Sequence, residues 1–186
     1  MKERMIKETI SMMQQKGFTF TMSDLAKQLA ISKRTIYEHF SSKDELVDHV
    51  IDHFIFQIKE KEKAISANAQ LSLIEKIEQI LISLPTEFEL MDVRLLTELK
   101  KFHYEQWEKL DLFLKEDWSI VEELFELGQA KGIIKKIPLP LFIQIYTGSL
   151  NQIYDPSSSL KNQDTIGAIL KSVVDILLHG IVIKHH

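Results

Sequence analysis

The sequence predicts an all-α fold of about nine helices, and three observations carry that prediction. Apolar residues recur at i, i+3, i+4 and i+7 along most of the chain, no stretch of useful length alternates as a strand would, and the interruptions fall at glycines, prolines and Ser or Thr caps. With 186 residues, 45% hydrophobic and 9% aromatic, the chain has enough apolar material to bury a substantial core. It contains no cysteine, which removes disulfides, thiolate nucleophiles and Cys-ligated metal together. The N-terminus, MKERMIKETISMM, is charged and amphipathic and reads as a helix, and the most apolar stretch, Ile166 to Ile183, is interrupted by Lys171, Asp175 and His179. A soluble, cytoplasmic protein is expected.

Taken in order, Met5, Ile6, Ile10 and Met13 form the stripe of a first helix that stops at Lys16-Gly17. Thr21 with Asp24 is a capping box for a second helix ending near Leu29, Ser32 caps a third, and Ser42 with Glu45 opens a fourth. The fourth carries Leu46, Val47, Val50, Ile51, Phe54, Ile55 and Ile58, a stripe longer than a small N-terminal unit can cover. Lys59 to Lys63 reads as its solvated end and Ser66 to Gln70 as a loop. Leu71, Ile74, Ile77, Leu81 and Leu84 give a fifth helix, stopped by Pro85. Thr86 to Lys131 stays helical, with a break expected between Lys101 and Glu108. Gly128 to Gly132 with Pro138 and Pro140 leads into a helix from Leu139 to Tyr154, Asp155 to Ser159 reads as a loop, and a last stripe runs from Ile166 to Val182.

Within this outline Met22 to Phe40, MSDLAKQLAISKRTIYEHF, stands out as two short helices packed across a tight turn. The net charge is −4, so any contact with nucleic acid must come from a local patch. Lys27, Lys33, Arg34 and Lys43 supply one, opposed between Lys27 and Lys43 only by Glu38. Lys33, Arg34 and Thr35 lie at the N-terminal end of the second of these helices, where a side chain inserted in a major groove reaches base edges. Arg34 is the strongest specificity candidate, because a guanidinium binds guanine O6 and N7 together.

These residues resemble the tetracycline-repressor (TetR) family of bacterial transcription regulators. The likeness runs from about Ile6 to Val50, through Gly17-Phe18, Thr21, Leu25-Ala26, Ser32, Thr35, Tyr37, His39-Phe40 and Lys43-Asp44-Glu45-Leu46. Two positions depart from the family pattern: Phe18 replaces the usual Tyr, and Ala30 sits where the turn usually has Gly. The resemblance implies that Tyr37, His39, Lys43 and Thr21 grip phosphates. It also implies a homodimer joined through its last two helices, a palindromic double-stranded DNA operator and a ligand cavity in the C-terminal region. A DNA-binding domain over 1–48 and a ligand-binding and dimerisation domain over 49–186 follow.

The other constellations are weaker. His49 and His53 flank Asp52 at i, i+4, but Asp replaces the Glu of a helical zinc site and no third ligand is in register, so no metal is expected. No Gly-rich phosphate loop, serine elbow or paired catalytic acids can be picked out, and neither an enzyme nor a cofactor is expected. His103, Tyr104, Trp107, Trp118 and Tyr146 each join apolar bulk to a hydrogen-bonding group and are the candidates for lining a site for a small apolar or amphipathic effector. Gly148 and Ser149 allow close approach, and Ile169, Val173 and Leu177 supply a stripe, so an isologous dimer interface is the natural use of that surface. The reading is a DNA-binding regulator, a repressor released by a small effector. The alternative is a DNA-binding or protein-docking module whose C-terminal helices only dimerise.

Overall fold

A computed structural model describes residues 1–89, 91–92, 94–154 and 165–181. Eleven α-helical segments occur among them: α1 (Lys2–Lys16), α2 (Met22–Leu29), α3 (Lys33–Tyr37), α4 (Lys43–Ala67), α5 (Leu73–Leu81), α6 (Thr86–Glu89), α7 (Arg94–Phe102), α8 (Tyr104–Glu116), α9 (Ser119–Ala130), α10 (Leu139–Tyr154) and α11 (Ile166–Ile181). The described residues contain no strand, and no helix among them is long and apolar enough to cross a membrane. The all-α class is as expected. The count exceeds nine because the stretch 86–131 divides into four helices: the chain breaks at His103, inside the expected window, and also between Glu89 and Arg94 and at Asp117-Trp118, which periodicity did not reveal. The loop at Asp155 to Ser159 and Val182 lie outside the described residues.

Caps decide the boundaries of the N-terminal unit. Gly17 ends α1 at φ 62°, ψ −151°, a backbone region open essentially to glycine alone, and Gly17–Thr19 forms a single 3₁₀ turn. The capping box at α2 is complete: the Asp24 N–H donates to the Thr21 hydroxyl at 3.1 Å and the Thr21 N–H donates to the Asp24 carboxylate at 2.9 Å. At α4 the second half is displaced by one residue. The Glu45 N–H donates to the Ser42 hydroxyl, but the Glu45 carboxylate accepts from Ser41, through both its N–H and its hydroxyl at 2.6 Å. These bonds hold Asp24 and Glu45 below the usual carboxylate range.

Four helices then close around one small core. Met5, Leu25, Ile36, Phe40, Leu46, Val47 and Val50 are fully buried. The α1 helix seals this unit from outside, where Arg4 Nη2 donates to the Leu29 carbonyl at 3.2 Å and the Lys2 ammonium lies 5.4 Å from the Phe40 ring centre. The core continues without a gap along α4, through Ile51, Phe54 and Ile58, into the C-terminal helices. At 25 residues α4 is about 37 Å long, enough to serve both regions. A second complete capping box, Ser72 with Glu75, starts α5. Gly128 on α9 is there for proximity: a Cβ would stand 2.5 Å from Ile134 Cδ1 and 3.0 Å from Leu73 Cδ2.

Ala30, between α2 and α3, adopts φ 54°, ψ 42°, and no other described non-glycine residue has positive φ. The left-handed turn survives a Cβ because Ala30 N–H still bonds the Lys27 carbonyl and Ile31 N–H the Ala26 carbonyl, at 3.1 and 3.0 Å. The strain remains. Ala30→Gly should relieve roughly 1–2 kcal/mol of it, less the roughly 0.5–1 kcal/mol of extra chain entropy glycine loses on folding. A net gain of about 0.5–1 kcal/mol in chemical denaturation is expected, with any loss of stability counting against the strained turn.

Candidate nucleic-acid interface and the cavity behind it

The short helix α3 presents its polar residues outward because Ile36 alone is drawn fully into the core. Lys33, Arg34 and Tyr37 are exposed on it. The Lys33 ammonium lies 5.6 Å from the Tyr37 ring centre, and Arg34 Nε pairs with Glu38 at 3.2 Å. The Arg34 side chain is 89% exposed, and so open an ion pair contributes little, which leaves the guanidinium free to exchange Glu38 for another acceptor. The two threonines are already engaged. The Thr35 hydroxyl bonds the Ser32 hydroxyl at 2.8 Å and the Thr21 hydroxyl bonds Asp24 at 2.7 Å, so both work as parts of helix caps in the free protein. His39 is half-buried where α3 meets α4. Lys43 turns inward: its ammonium donates to the Phe18 carbonyl and lies 4.3 Å from the Phe20 ring centre, and desolvation lowers its pKa.

Behind this surface a cavity of about 110 Å³ opens among α1, α4, α5, α7, α8, α10 and α11. Its walls are apolar and aromatic, with Phe54, Phe88, Phe113, Trp118 and Tyr146 among them. The aromatics keep their polar ends on the backbone: Trp118 Nε1 donates to the Leu114 carbonyl at 3.2 Å and the Tyr146 hydroxyl to the Leu81 carbonyl at 2.6 Å, while the two rings meet edge to face at 5.4 Å. Three polar side chains remain in the lining: Ser83, Glu62 and Asp117. The Ser83 hydroxyl oxygen is buried without a hydrogen-bond partner.

Of the five residues expected to line a site, Trp118 and Tyr146 do so; His103, Tyr104 and Trp107 do not. Tyr104 is exposed on α8, where a hydrogen bond to Glu108 raises its pKa. Trp107 is buried in the core with the Lys100 ammonium 5.4 Å from its ring centre. His103 is 6% exposed and reaches the other way, its Nδ1 2.6 Å from Asp44 Oδ1 at the start of α4.

Among the described residues, His103 is one of four polar links between the C-terminal helices and the N-terminal unit, another being the bond from Gln14 Nε2 to the Glu87 carbonyl at 2.5 Å. The Glu98 carboxylate accepts from the Phe18 N–H at 3.0 Å, and the Lys109 ammonium bonds Asp48 at 3.0 Å and Asp52 at 2.5 Å. Burial opposes the charge on Lys109, but the bonds to Asp52 and Asp48 prevail and raise its pKa. Asp48 and Asp52 are thus spent on an ion pair; His49 packs against Phe40 and His53 bonds Gln57. Phe18 touches both systems, lining the cavity while its ring stacks at 5.0 Å on His103.

Sequence reasoning missed Glu62, although a signal was present. Counting from Ile58 along the α4 stripe, the next position on the same face is 62, so this glutamate sits where a core residue would. The partly buried carboxyl is pushed up to about 7 from an ordinary 4.5, by desolvation first and by the neighbouring Asp117 second, with Lys59 opposing. The sign of its effect on stability follows. Below 4.5 the carboxyl is protonated in both folded and unfolded chains; between 4.5 and about 7 the unfolded chain ionises first, and above that the full penalty persists. Glu62→Gln should therefore stabilise the protein at pH 8 by about 1 kcal/mol, after discounting for solvent screening, and by nothing at pH 4. Unfolding midpoints at the two pH values check this; an equal change at both would refute it.

Residues 5–50 match the model of bacterial regulatory proteins of the tetR family. Over 181 residues, 97% of this chain and 95% of the other, the chain is 48% identical to YvaF of Bacillus subtilis (strain 168), an uncharacterized HTH-type transcriptional regulator. A TetR/AcrR-family transcriptional regulator from Thermobifida fusca superposes with TM-score 0.68 at 19% identity, covering 96% of this chain and 97% of that one. The regulator FadR from Bacillus subtilis, in complex with stearoyl-CoA, superposes with TM-score 0.65 at 20% identity, covering 96% and 98%. These solved structures share the fold. The relative alike at nearly half of all positions along almost its whole length decides the matter, and the chain belongs to the tetR family of bacterial regulatory proteins, a transcriptional regulator and not an enzyme.

Proposed function

We propose that the protein is a homodimeric, effector-released repressor. In this reading residues 1–48 bind a palindromic operator and residues 49–186 dimerise and bind the effector. The observation that carries it is the placement of Phe18, which lines the cavity and whose backbone is bonded on one side by Glu98 of α7 and on the other by Lys43 of α4. A molecule entering the cavity presses on the residue that joins α1 to the recognition unit. Displacement of Phe18 or α7 then changes the angle of α3 through Lys43, Asp44 and Asp48, all on the first turns of α4. Release requires that the effector prefer the arrangement unable to bind DNA. The cavity itself favours this reading over the alternative, a module that only dimerises.

On DNA, Lys33, Arg34 and Thr35 address base edges, Thr35 by giving up its bond to Ser32. Tyr37, His39, Thr21 and Lys43 address phosphates. For Lys43 that means leaving the Phe18 carbonyl, so phosphate binding and the state of Phe18 are coupled. Sites selected from a random duplex library should be inverted repeats, with half-sites related by the dimer's two-fold axis. Arg34→Ala should weaken binding to the selected site by about 1–3 kcal/mol and flatten discrimination at one base pair of each half-site. Equal loss on matched and mismatched duplexes would assign Arg34 to phosphate alone.

Dimerisation is proposed through α10 and α11. Leu141 and Ile145 on α10 and Ile176 on α11 are apolar and exposed, Ile176 at 71%. A Cβ on Gly148 or Gly180 would meet nothing within 4 Å, so both leave open surface against which a partner's side chains can pack. Of the residues expected there, Gly148 is exposed, Ser149, Val173 and Leu177 are half-buried, and Ile169 is 6% exposed, turned into the protomer's own core with Leu170, Val174 and Leu178. The α11 stripe is wide enough to serve both faces, and Ile169 belongs to the inner one. Ile176→Glu should give a folded monomer by light scattering and abolish high-affinity binding to the inverted repeat; a dimeric variant would remove α11 from the interface.

A further inference from the structure

The cavity's walls are almost wholly apolar, yet its polar groups share one chemical character. Glu62 is partly buried and has no hydrogen-bond or ion-pair partner among the described residues. The cation that faces it, Lys59, is bonded instead to Asp117 Oδ2 at 2.6 Å. Asp117 is exposed while also lining the cavity, which puts this charged trio at the mouth. Lys59 and Asp117 cancel, and the carboxylate of Glu62 is left over. The Lys59 ammonium lies 5.6 Å from the ring centre of Phe113, another lining residue, so a ring of this cavity already has a cation beside it. The Ser83 hydroxyl, buried with no partner, is a second polar group that a ligand would satisfy.

We propose that the effector is an amphipathic cation, an aromatic or alkyl amine or quaternary ammonium whose apolar body lies among Phe54, Phe88, Phe113 and Trp118 and whose positive centre is the counter-ion of Glu62. This rests on the reading of the cavity as the effector site and narrows it to one class of ligand. Desolvation is what makes the carboxylate selective. A partly buried charge without a partner is costly, and a ligand cation removes that cost where a neutral or anionic ligand cannot. A volume of about 110 Å³ is of the same order as the roughly 150 Å³ that accommodates benzene in an engineered apolar cavity, so one compact apolar group such as a benzyl moiety suits the inner end while the positive centre stays at the mouth.

The test uses three compact benzyl probes of similar size and different charge, titrated into the full-length protein: benzyltrimethylammonium, its uncharged carbon isostere neopentylbenzene, and the anion 3-phenylpropionate. Stearoyl-CoA, the ligand of the FadR structure, is a fourth. Because the quaternary cation does not titrate, its affinity should follow the ionisation of Glu62, which faces Asp117 and Lys59, and rise about fivefold between pH 6 and pH 8 when the neutral side chain binds about tenfold more weakly. Glu62→Gln should remove that pH dependence and lower the ratio of cation to isostere affinity about tenfold. Should the variant fail to fold, the pH profile of the unmodified protein decides. An unchanged ratio, a flat profile, or binding of 3-phenylpropionate or stearoyl-CoA in preference to the cation overturns the charge assignment. If one of those other ligands releases operator DNA, the effector reading stands without it, and if no probe of any charge binds, both fall.

Discussion

The rest of the structure depends on α4 being one unbroken helix. Its first three turns complete the core of the DNA-binding unit through Leu46, Val47 and Val50, and its later turns supply a wall of the cavity through Ile51, Phe54 and Ile58. A helix buried at both ends cannot bend without opening one of two cores, so movement of the cavity wall is passed to the start of α4 as a rigid shift or tilt. Nothing else spans the two regions in this way. The polar links arranged beside it, Glu98 to Phe18, His103 to Asp44 and Lys109 to Asp48 and Asp52, are directional and can be exchanged, while the apolar stripe is neither. The combination is a stiff lever with adjustable stops.

The region with local chemical instructions was legible in the sequence, and the region without them was legible only in outline. Thr21 with Asp24, Ser32 and Ser42 each bond the N–H groups that periodicity and residue type assign to them, so α2, α3 and α4 begin where expected. Ala30 was recognisable as a strained position only through the family resemblance, in which glycine usually fills that turn. By contrast α8 and α9 begin without any side-chain cap, at His103 and Trp118, and their boundaries come from tertiary packing that no local signal records. That is why the break at Asp117-Trp118 went unseen.

The candidate site divides along the same line. Basic residues at the start of a short capped helix are readable from the sequence, and α3 exposes Lys33 and Arg34. Which of several aromatics face a cavity depends on the rotation of α7 and α8 about their axes, and His103, Tyr104 and Trp107, adjacent in sequence, go to three destinations: a link to Asp44, solvent, and the core. The dimer stripe was ambiguous for a related reason. With Ile166, Ile169, Leu170, Val173, Val174, Leu177 and Leu178 all apolar, α11 can bury either side, and only the packing chooses Ile169, Val174 and Leu178 for the inner face.

Glu62 is the residue for which local pattern and tertiary environment disagree, and the disagreement is informative. The run Lys59 to Lys63 reads as a solvated end from its composition, whereas α4 runs on to Ala67, Lys61 bonds the Leu84 carbonyl and position 62 continues the apolar stripe. A leucine or glutamine there would cost the fold less, since burial lifts the carboxyl to about 7 and leaves the protein near neutrality carrying a charge it stabilises poorly. By linkage, whatever supplies the missing positive charge returns that free energy on binding, so the penalty in the empty protein becomes selectivity in the occupied one. Glu62 stands on α4, which carries Lys43, Asp44 and Asp48 at its other end, so under the proposed function charge at the cavity mouth and the orientation of α3 would be two readings of one equilibrium.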